Sequence, residues 1–411
     1  MPSTELPLNQ PADTSRTRPA DPAPRKLPMA ALLALATAVF VTSLTETLPA
    51  GLLPAMSADL GVSRSATGQT VTVYALGTVL TAVPLSAATA GWNRKRLLLT
   101  AMTGFAVANT VTALSVNYPL TMAARFLAGV AAGLAWALLA GYARRLAPAH
   151  LQGRAIAVAM AGIPLALALG VPAGTFLGKA VGWQTAFLSM TVLTVLLLAW
   201  IAVKVPGQPG TGKGGARTPL RHALSVPGVT PVLVVTLVFV LAHTILYTYI
   251  AAFLEHAGMG GSVDLVLLVF GAASLVSIWV VGLLISHRLR ALMIAGTLLV
   301  AVAAALLAVL SDRPLFVHAA VLLWGLGWGG VPTLLQTAAG EAGGGSADAA
   351  QAMLVTLWNV AMAAGGVAGG VLLDLLGTGS FPWSVLVLLA PVLAVVVSAR
   401  THGFPAHPRN P

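Results

Sequence analysis

The chain has no cysteine, and only 11 of its 411 residues are acidic. The first absence removes a disulfide framework and any cysteine-held metal or cluster. The second leaves no paired carboxylates of the kind that hold a metal-bound pyrophosphate. The acids are scattered singly, and no two His or acidic residues stand at ligand spacing on one helix face, so neither a metal site nor a cofactor is expected. Charged residues of either sign make up 8% of the chain, which is too few to solvate a soluble protein of this length. Nucleotide-binding signatures are missing too: the fragment GTGKGG, beginning at Gly210, lacks the Gly-Lys-Ser/Thr ending and the flanking strand of a phosphate loop.

What is present is apolar, with 57% hydrophobic residues and a mean hydropathy of +0.90. Twelve runs approach the roughly 20 residues that cross a bilayer. They lie near 28–53, 67–90, 96–116, 119–142, 155–178 and 184–204, then near 229–254, 264–286, 290–310, 314–338, 348–375 and 381–399. This predicts an all-α membrane protein whose 12 transmembrane helices form two six-helix bundles. Residues 1–27, rich in Pro, Ser and Thr, read as a disordered tail. No cleavable signal is expected, since the first apolar run is long enough to span. Residues 28–204 then form the N-terminal bundle, 205–227 a Gly-rich linker, 228–400 the C-terminal bundle and 401–411 a second tail.

Lysine and arginine set the expected orientation. With the amino terminus inside, inner segments carry 18 of the 22 basic residues, Arg94, Lys95, Arg96, Arg144, Arg145, Arg154, Arg288 and Arg290 among them. Outer segments carry three, Arg64, Lys179 and Arg313, and Arg125 lies within a span. The positive-inside rule therefore places both termini in the cytoplasm. The same placement reads the net charge of +11 as a set of topology signals beside anionic lipid, with no nucleic-acid partner. Seventeen Arg against five Lys, with abundant Ala, Gly and Pro, is the usage of a high-GC bacterial genome, so the expected home is a bacterial inner or plasma membrane.

One stretch organises the rest. Arg125 is a cation inside hydrocarbon, a placement that costs roughly 2.5–3.5 kcal/mol even on the mildest scales, so it should face protein or water and do a job. Gly129 and Gly133 follow it, and the next span holds Gly162, Gly170, Pro172, Gly174 and Gly178. Small residues at such intervals let a second backbone come close. The halves echo one another. The basic turn at Gly91–Arg96 has a counterpart at Ser286–Arg290, and the glycines of the fifth span are matched by Gly365, Gly366, Gly369 and Gly370 on the eleventh.

With these residues in view, the chain resembles the major facilitator superfamily, and within it the bacterial drug/proton antiporters and the sugar-efflux and nucleoside-efflux proteins, over residues 28–400. Arg125-x-x-x-Gly129 is similar to that family's buried-arginine motif, with Ala128 where Gln is common. Gly162 to Gly174, ending in Gly170-Val171-Pro172-Ala173-Gly174, resembles the fifth-helix antiporter motif, with Val171 inserted between Gly and Pro. Thr45-Glu46 followed by Gly51-Leu52-Leu53-Pro54 resembles the first-helix signature of the efflux branch. The gating loop keeps Arg94, Lys95 and Arg96, but Ser86, Ala90 and Asn93 stand where Gly, Asp and Gly are usual. The resemblance implies a monomeric, proton-coupled secondary transporter in the lipid bilayer. It would export a small amphipathic, drug-like or sugar-like compound by rocking of its halves. Proton-coupled nutrient uptake is the alternative within transport; a membrane sensor or a lipid-modifying enzyme is the alternative outside it.

Glu46 is the carboxylate well inside an N-half span, and a group so placed can load and release a proton as a cavity changes access. Arg125 has two readings: it holds Glu46 ionised, or it binds backbone carbonyls of a neighbouring helix. His243, with Tyr247 one turn on, is a third candidate for proton coupling or cargo contact, against a purely structural role. Tyr74, Trp136, Tyr247, Gln336, Trp358 and Asn359 are candidate cavity residues by polarity and aromaticity inside the spans, though such residues also serve as packing and interfacial anchors.

Overall fold

The computed structural model describes residues 27–210 and 224–405. The tail 1–26, linker residues 211–223 and residues 406–411 lie outside the described residues. Within them the chain is helical, with no strand. Eleven helices are long and apolar enough to cross a membrane, and one of these, Gly260–Leu310, is 51 residues long. That is twice the length a crossing needs. Arg288, at φ −135° and ψ 26°, breaks it into two crossings at the expected basic turn. Twelve crossings result.

In the first half they are α1 (Met29–Leu60), α2 (Arg64–Ala88), α3 (Arg94–Leu114), α4 (Tyr118–Arg145), α5 (Gln152–Val181) and α6 (Trp183–Lys204). In the second they are α7 (Val229–Thr248, continued by Ile250–His256), α8 (263–287), α9 (289–310), α10 (Pro314–Ser346), α11 (Ala347–Leu376) and α12 (Ser380–Ser398). With an even number of crossings, both ends of the described chain lie on one face, together with the basic turns. The opposite face is called the far face below.

Most spans end within a few residues of expectation, but α10 runs to Ser346, past the expected end at 338, and α1 runs to Leu60, past the expected end at 53. The polar turn Ser57-Ala58-Asp59 carries the helix beyond the apolar run. It stops at Gly61, whose φ of +62° lets its amide reach back to the Ala58 carbonyl while Val62 reaches that of Ser57. Hydropathy marks where a helix leaves lipid, and the cap marks where it ends.

Three spans are irregular, each for a visible reason. In α5 a π-helical turn occupies Ala166–Gly170, just before Pro172. α7 breaks at Tyr249 (φ −109°, ψ 17°), whose hydroxyl donates to the Gly366 carbonyl of α11 at 2.8 Å. α10 breaks at Gly329–Gly330 before Pro332, and the Gly330 amide donates to Ser277 Oγ of α8 at 3.0 Å.

Small residues set the distances between helices. Gly129 and Gly133 of α4 lie against Tyr74, Gly77, Thr81 and Ala82 of α2. Gly162 meets the Ala36 carbonyl and Phe40 of α1, and further along the same face Gly170 lies over Phe40 and Leu44, and Gly174 over Leu48. Two seams join the halves. In one, Gly366 and Gly370 of α11 lie against Thr72, Gln69 and Ser65 of α2; in the other, Gly271 of α8 lies directly on the backbone of Leu167 and Ala168, in the π turn of α5. The seams are related by the repeat, α2 with α11 and α5 with α8.

Candidate functional site

Arg125 reaches α1 at a place prepared by a proline. In a helix the carbonyl of residue i takes the N–H of residue i+4. Thr45 would be served by residue 49, and Pro49 has no N–H to give. Arg125 supplies it instead. Its Nη1 donates to the Thr45 carbonyl at 2.8 Å, and its Nε donates to the Thr70 carbonyl of α2 at 3.4 Å. The guanidinium carbon lies 4.9 Å from the centre of the Tyr74 ring, a cation–π contact. Tyr74 is fixed in turn by donating its hydroxyl to the Thr42 carbonyl at 3.2 Å. Arg125 is fully buried, and its Nη2 has no hydrogen-bond partner.

Glu46 follows Thr45 and is half-buried. Among the described residues the two ion pairs are Arg64 with Glu255 and Lys179 with Asp264, so Glu46 and Arg125 do not form one. Glu46 nevertheless stands within electrostatic reach of Arg125, Tyr74 and, from the other half, Tyr247. Of the two readings of Arg125, the geometry realises the carbonyl-bound one.

The C-terminal half faces this spot with rings. The His243 imidazole lies parallel to the Trp328 indole, 3.6 Å between centres and 4° between planes. Its Nδ1 accepts a hydrogen bond from Trp324 Nε1 at 3.2 Å, leaving Nε2 to carry the proton in the neutral ring. Tyr247 stacks beside it at 5.2 Å, Phe270 lies at 6.0 Å, and Trp358 of α11 joins Trp328 at 5.7 Å. His243, Tyr247 and Trp358 thus share one aromatic wall. Asn359 is buried and donates to the Val355 carbonyl of its own helix at 3.0 Å, while Gln336 is exposed and Trp136 is half-buried on α4.

The expected gating loop braces helix ends. Asn93 caps α3 by accepting from the amides of Lys95 and Arg96, and Arg94 donates to the Ala90 carbonyl at 3.3 Å. Lys95 Nζ donates to the Ala202 carbonyl near the end of α6 at 2.7 Å. In the second half Arg290 does the same for α12, donating to the carbonyls of Val396 at 3.3 Å and Val397 at 2.7 Å. A cation at helix C-terminal carbonyls is favourable, so the repeated basic turns carry a repeated joint.

The polar contacts between halves gather toward the far face. Gln69 of α2 donates to the Gly366 carbonyl at 3.2 Å. Arg64 at the start of α2 pairs with Glu255 at the end of α7, and Lys179 at the end of α5 pairs with Asp264 at the start of α8 at 2.6 Å. Lys179 also donates to the Gly261 carbonyl at 2.6 Å. A cleft of about 510 Å³ opens beside the first pair, lined in part by His256 and Thr378.

Sequence reasoning did not single out Pro49, Asn109, Phe270, Trp324 or Trp328 for the site. A signal existed for the tryptophans: Trp324 and Trp328 are one turn apart on α10, as His243 and Tyr247 are on α7.

Comparison with known proteins agrees with this architecture. The model of the Major Facilitator Superfamily matches residues 35–350. A chloramphenicol efflux pump of Mycobacterium tuberculosis is 31% identical over 378 residues, covering 89% of this chain and 91% of its own. The purine ribonucleoside efflux pump NepI of Escherichia coli is 27% identical over 376 residues, covering 90% and 93%. A protein of Pseudomonas aeruginosa named transcription regulatory protein OpdE is 31% identical over 387 residues, covering 90% and 94%. The crystal structure of the human organic anion transporter TETRAN superposes with a TM-score of 0.68 at 16% identity, covering 90% of this chain and 99% of that one, a likeness of fold.

Proposed function

Because the chain belongs to the major facilitator superfamily, a family of transporters and not enzymes, we propose that it is a proton-coupled exporter of small amphipathic compounds with a flat aromatic portion. The observation that carries this reading is the placement of Glu46. It is an intramembrane carboxyl without a partner, next to an arginine occupied by carbonyls and opposite a wall of rings. Such an acid is free to exchange a proton with whichever side the central space opens to. The wall from His243 to Trp358 favours a cargo with a π face over a plain sugar, because stacked or edge-on ring pairs contribute about 0.5–1.5 kcal/mol beyond burial. Two relatives whose names describe export of chloramphenicol and of purine ribonucleosides support both the direction and the class.

The basic face is read as cytoplasmic from the placement of Lys and Arg, in a bacterial cell membrane. Residues 28–204 and 228–400 are then the two rocking units, joined by a cytoplasmic linker. The far face is external, and the Arg64–Glu255 and Lys179–Asp264 pairs hold it shut in the arrangement described. Opening it requires both pairs to part and the two seams to separate.

The test is proton movement in everted vesicles on adding chloramphenicol, adenosine or an unmodified sugar. Cargo-evoked proton movement with the first two and its loss in Glu46→Gln is the expected outcome. Equal responses in wild type and Glu46→Gln would remove Glu46 from the proton path. No response to any of the three by a folded protein would count against export and bring nutrient uptake or sensing forward.

A further inference from the structure

Asn109 lies on α3, outside the proposed proton path, yet it touches the residue on which that path turns. It is fully buried, and its Nδ2 donates to Thr45 Oγ1 at 3.1 Å. Its Oδ1 is buried without a partner. An unmatched buried acceptor costs about 1–3 kcal/mol, so an apolar side chain would serve stability better at this position. Thr45 is also unusual within α1. Thr37, Thr42 and Thr47 each turn their hydroxyl back to the carbonyl four residues earlier, at 3.0, 2.8 and 2.8 Å, whereas the Thr45 hydroxyl accepts from another helix. Prolines free two carbonyls within α1, that of Thr45 before Pro49 and that of Ala50 before Pro54, and Arg125 takes the first at 2.8 Å.

We infer that Asn109 and Pro49 are positioning residues that hold Arg125 off Glu46. Pro49 frees the Thr45 carbonyl, Asn109 fixes the rotation of Thr45, and the carbonyl so presented occupies the guanidinium. The adjacent carboxyl stays partnerless and open to protons. The inference rests on reading Glu46 as the proton carrier, and it adds the reason a neighbouring cation does not neutralise it permanently. The ionisable groups facing this spot are Tyr74 from α2, Arg125 from α4 and Tyr247 from α7, with His243 one turn before Tyr247. Arg125 is the permanent cation among them. Its nitrogen without a partner, Nη2, is the group a misplaced Arg125 would bring to Glu46.

The test uses the full-length protein in liposomes. The protonated carboxyl of Glu46 is followed by its infrared carbonyl band, identified by its disappearance in Glu46→Gln. In Pro49→Ala the Thr45 carbonyl regains an N–H and Arg125 is released; in Asn109→Leu the orientation of Thr45 is lost without adding a polar group. Both variants are expected to move the band's titration midpoint and the pH profile of chloramphenicol-driven proton exchange toward acid together, by about one pH unit, the shift a close opposite charge produces. Titrations that coincide with wild type in both folded variants would overturn the inference. Because Pro49→Ala restores a helical hydrogen bond, it keeps the test decisive should Asn109→Leu fail to fold. A shifted band alongside unchanged transport in Glu46→Gln would support the positioning role and instead remove the proton-carrier reading.

Discussion

A buried arginine in hydrocarbon persists where carbonyls are free to take its protons. Arg125 has one from Thr45, released by Pro49, and a share of another from Thr70. Its charge was legible in the sequence as an oddity that must be satisfied; the partner was not, because nothing in a linear reading brings residue 125 to the turn before Pro49. His243 was legible in the same limited way. Its spacing to Tyr247 marked one face of α7, but the indoles that fix its tautomer and cover its face come from α10. His243→Phe keeps a flat ring on Trp328 while removing the acceptor for Trp324 and the Nε2 proton. We expect its melting temperature in detergent to change by a few degrees at most and its apparent affinity for chloramphenicol to fall several-fold, the worth of about 1 kcal/mol. Unchanged affinity would make His243 a packing residue.

The helices themselves were the most legible part, since hydropathy and length locate a span whatever its tertiary partners. Their irregularities were less so. Prolines and glycines announced that α5 and α10 would not be regular, but whether a break, a π turn or a kink follows depends on the neighbour that accepts the exposed backbone groups, such as Ser277 for Gly330. For the glycines of α5 the structure adds what they meet. A Cβ at Gly162 would collide with the Ala36 carbonyl and Phe40 of α1, which is backbone and cannot turn aside. Gly162→Val is therefore expected to destabilise the N-terminal bundle by about 1–3 kcal/mol, seen as a lowered melting temperature. By contrast Gly261, with open space around its Cβ position, should accept Ala with no change.

Across the molecule, the sequence reading flagged Arg64 and Lys179 only as exceptions to a charge rule. Both turn out to be partners in ion pairs that cross between the halves, with Glu255 and Asp264, at the two ends of the far face. Such pairing joins residues remote in the chain and could not be read from either one. Their side chains are between 25% and 44% exposed, and exposed pairs contribute about 0–1 kcal/mol each. That suits a closure that must be undone in every cycle. Arg64→Glu is expected to shift the population toward the state open at the far face by up to about five-fold, raising the labelling rate of a cysteine replacing Ser65 or Thr72, small residues buried at the α2–α11 seam. Reversing the partner as well, Arg64→Glu with Glu255→Arg, should restore the wild-type rate; failure of the double variant to do so would mean that the pair is incidental.

The contact of Gly271 with the π turn of α5 has a mechanical consequence. Where two helices mesh through long side chains, relative motion must lift each knob out of its hole. Here the two backbones touch with no knobs between them, whereas the α2–α11 seam sets the side chains of Ser65, Gln69 and Thr72 on Gly366 and Gly370. The α5–α8 surface therefore behaves as a plain bearing, with little friction of its own, and the resistance to rocking lies in the Gln69 and Thr72 hydrogen bonds of the other seam and in the charged clasps at the rim. A transporter so built should respond to ions in the medium bathing the clasps more than to changes in the bearing. Raising the salt that bathes the far face from about 0.01 to 1 M shortens the screening length from about 30 to 3 Å, and we expect the same cysteine-labelling rate to rise across that range in wild type and to stay flat once both pairs are removed.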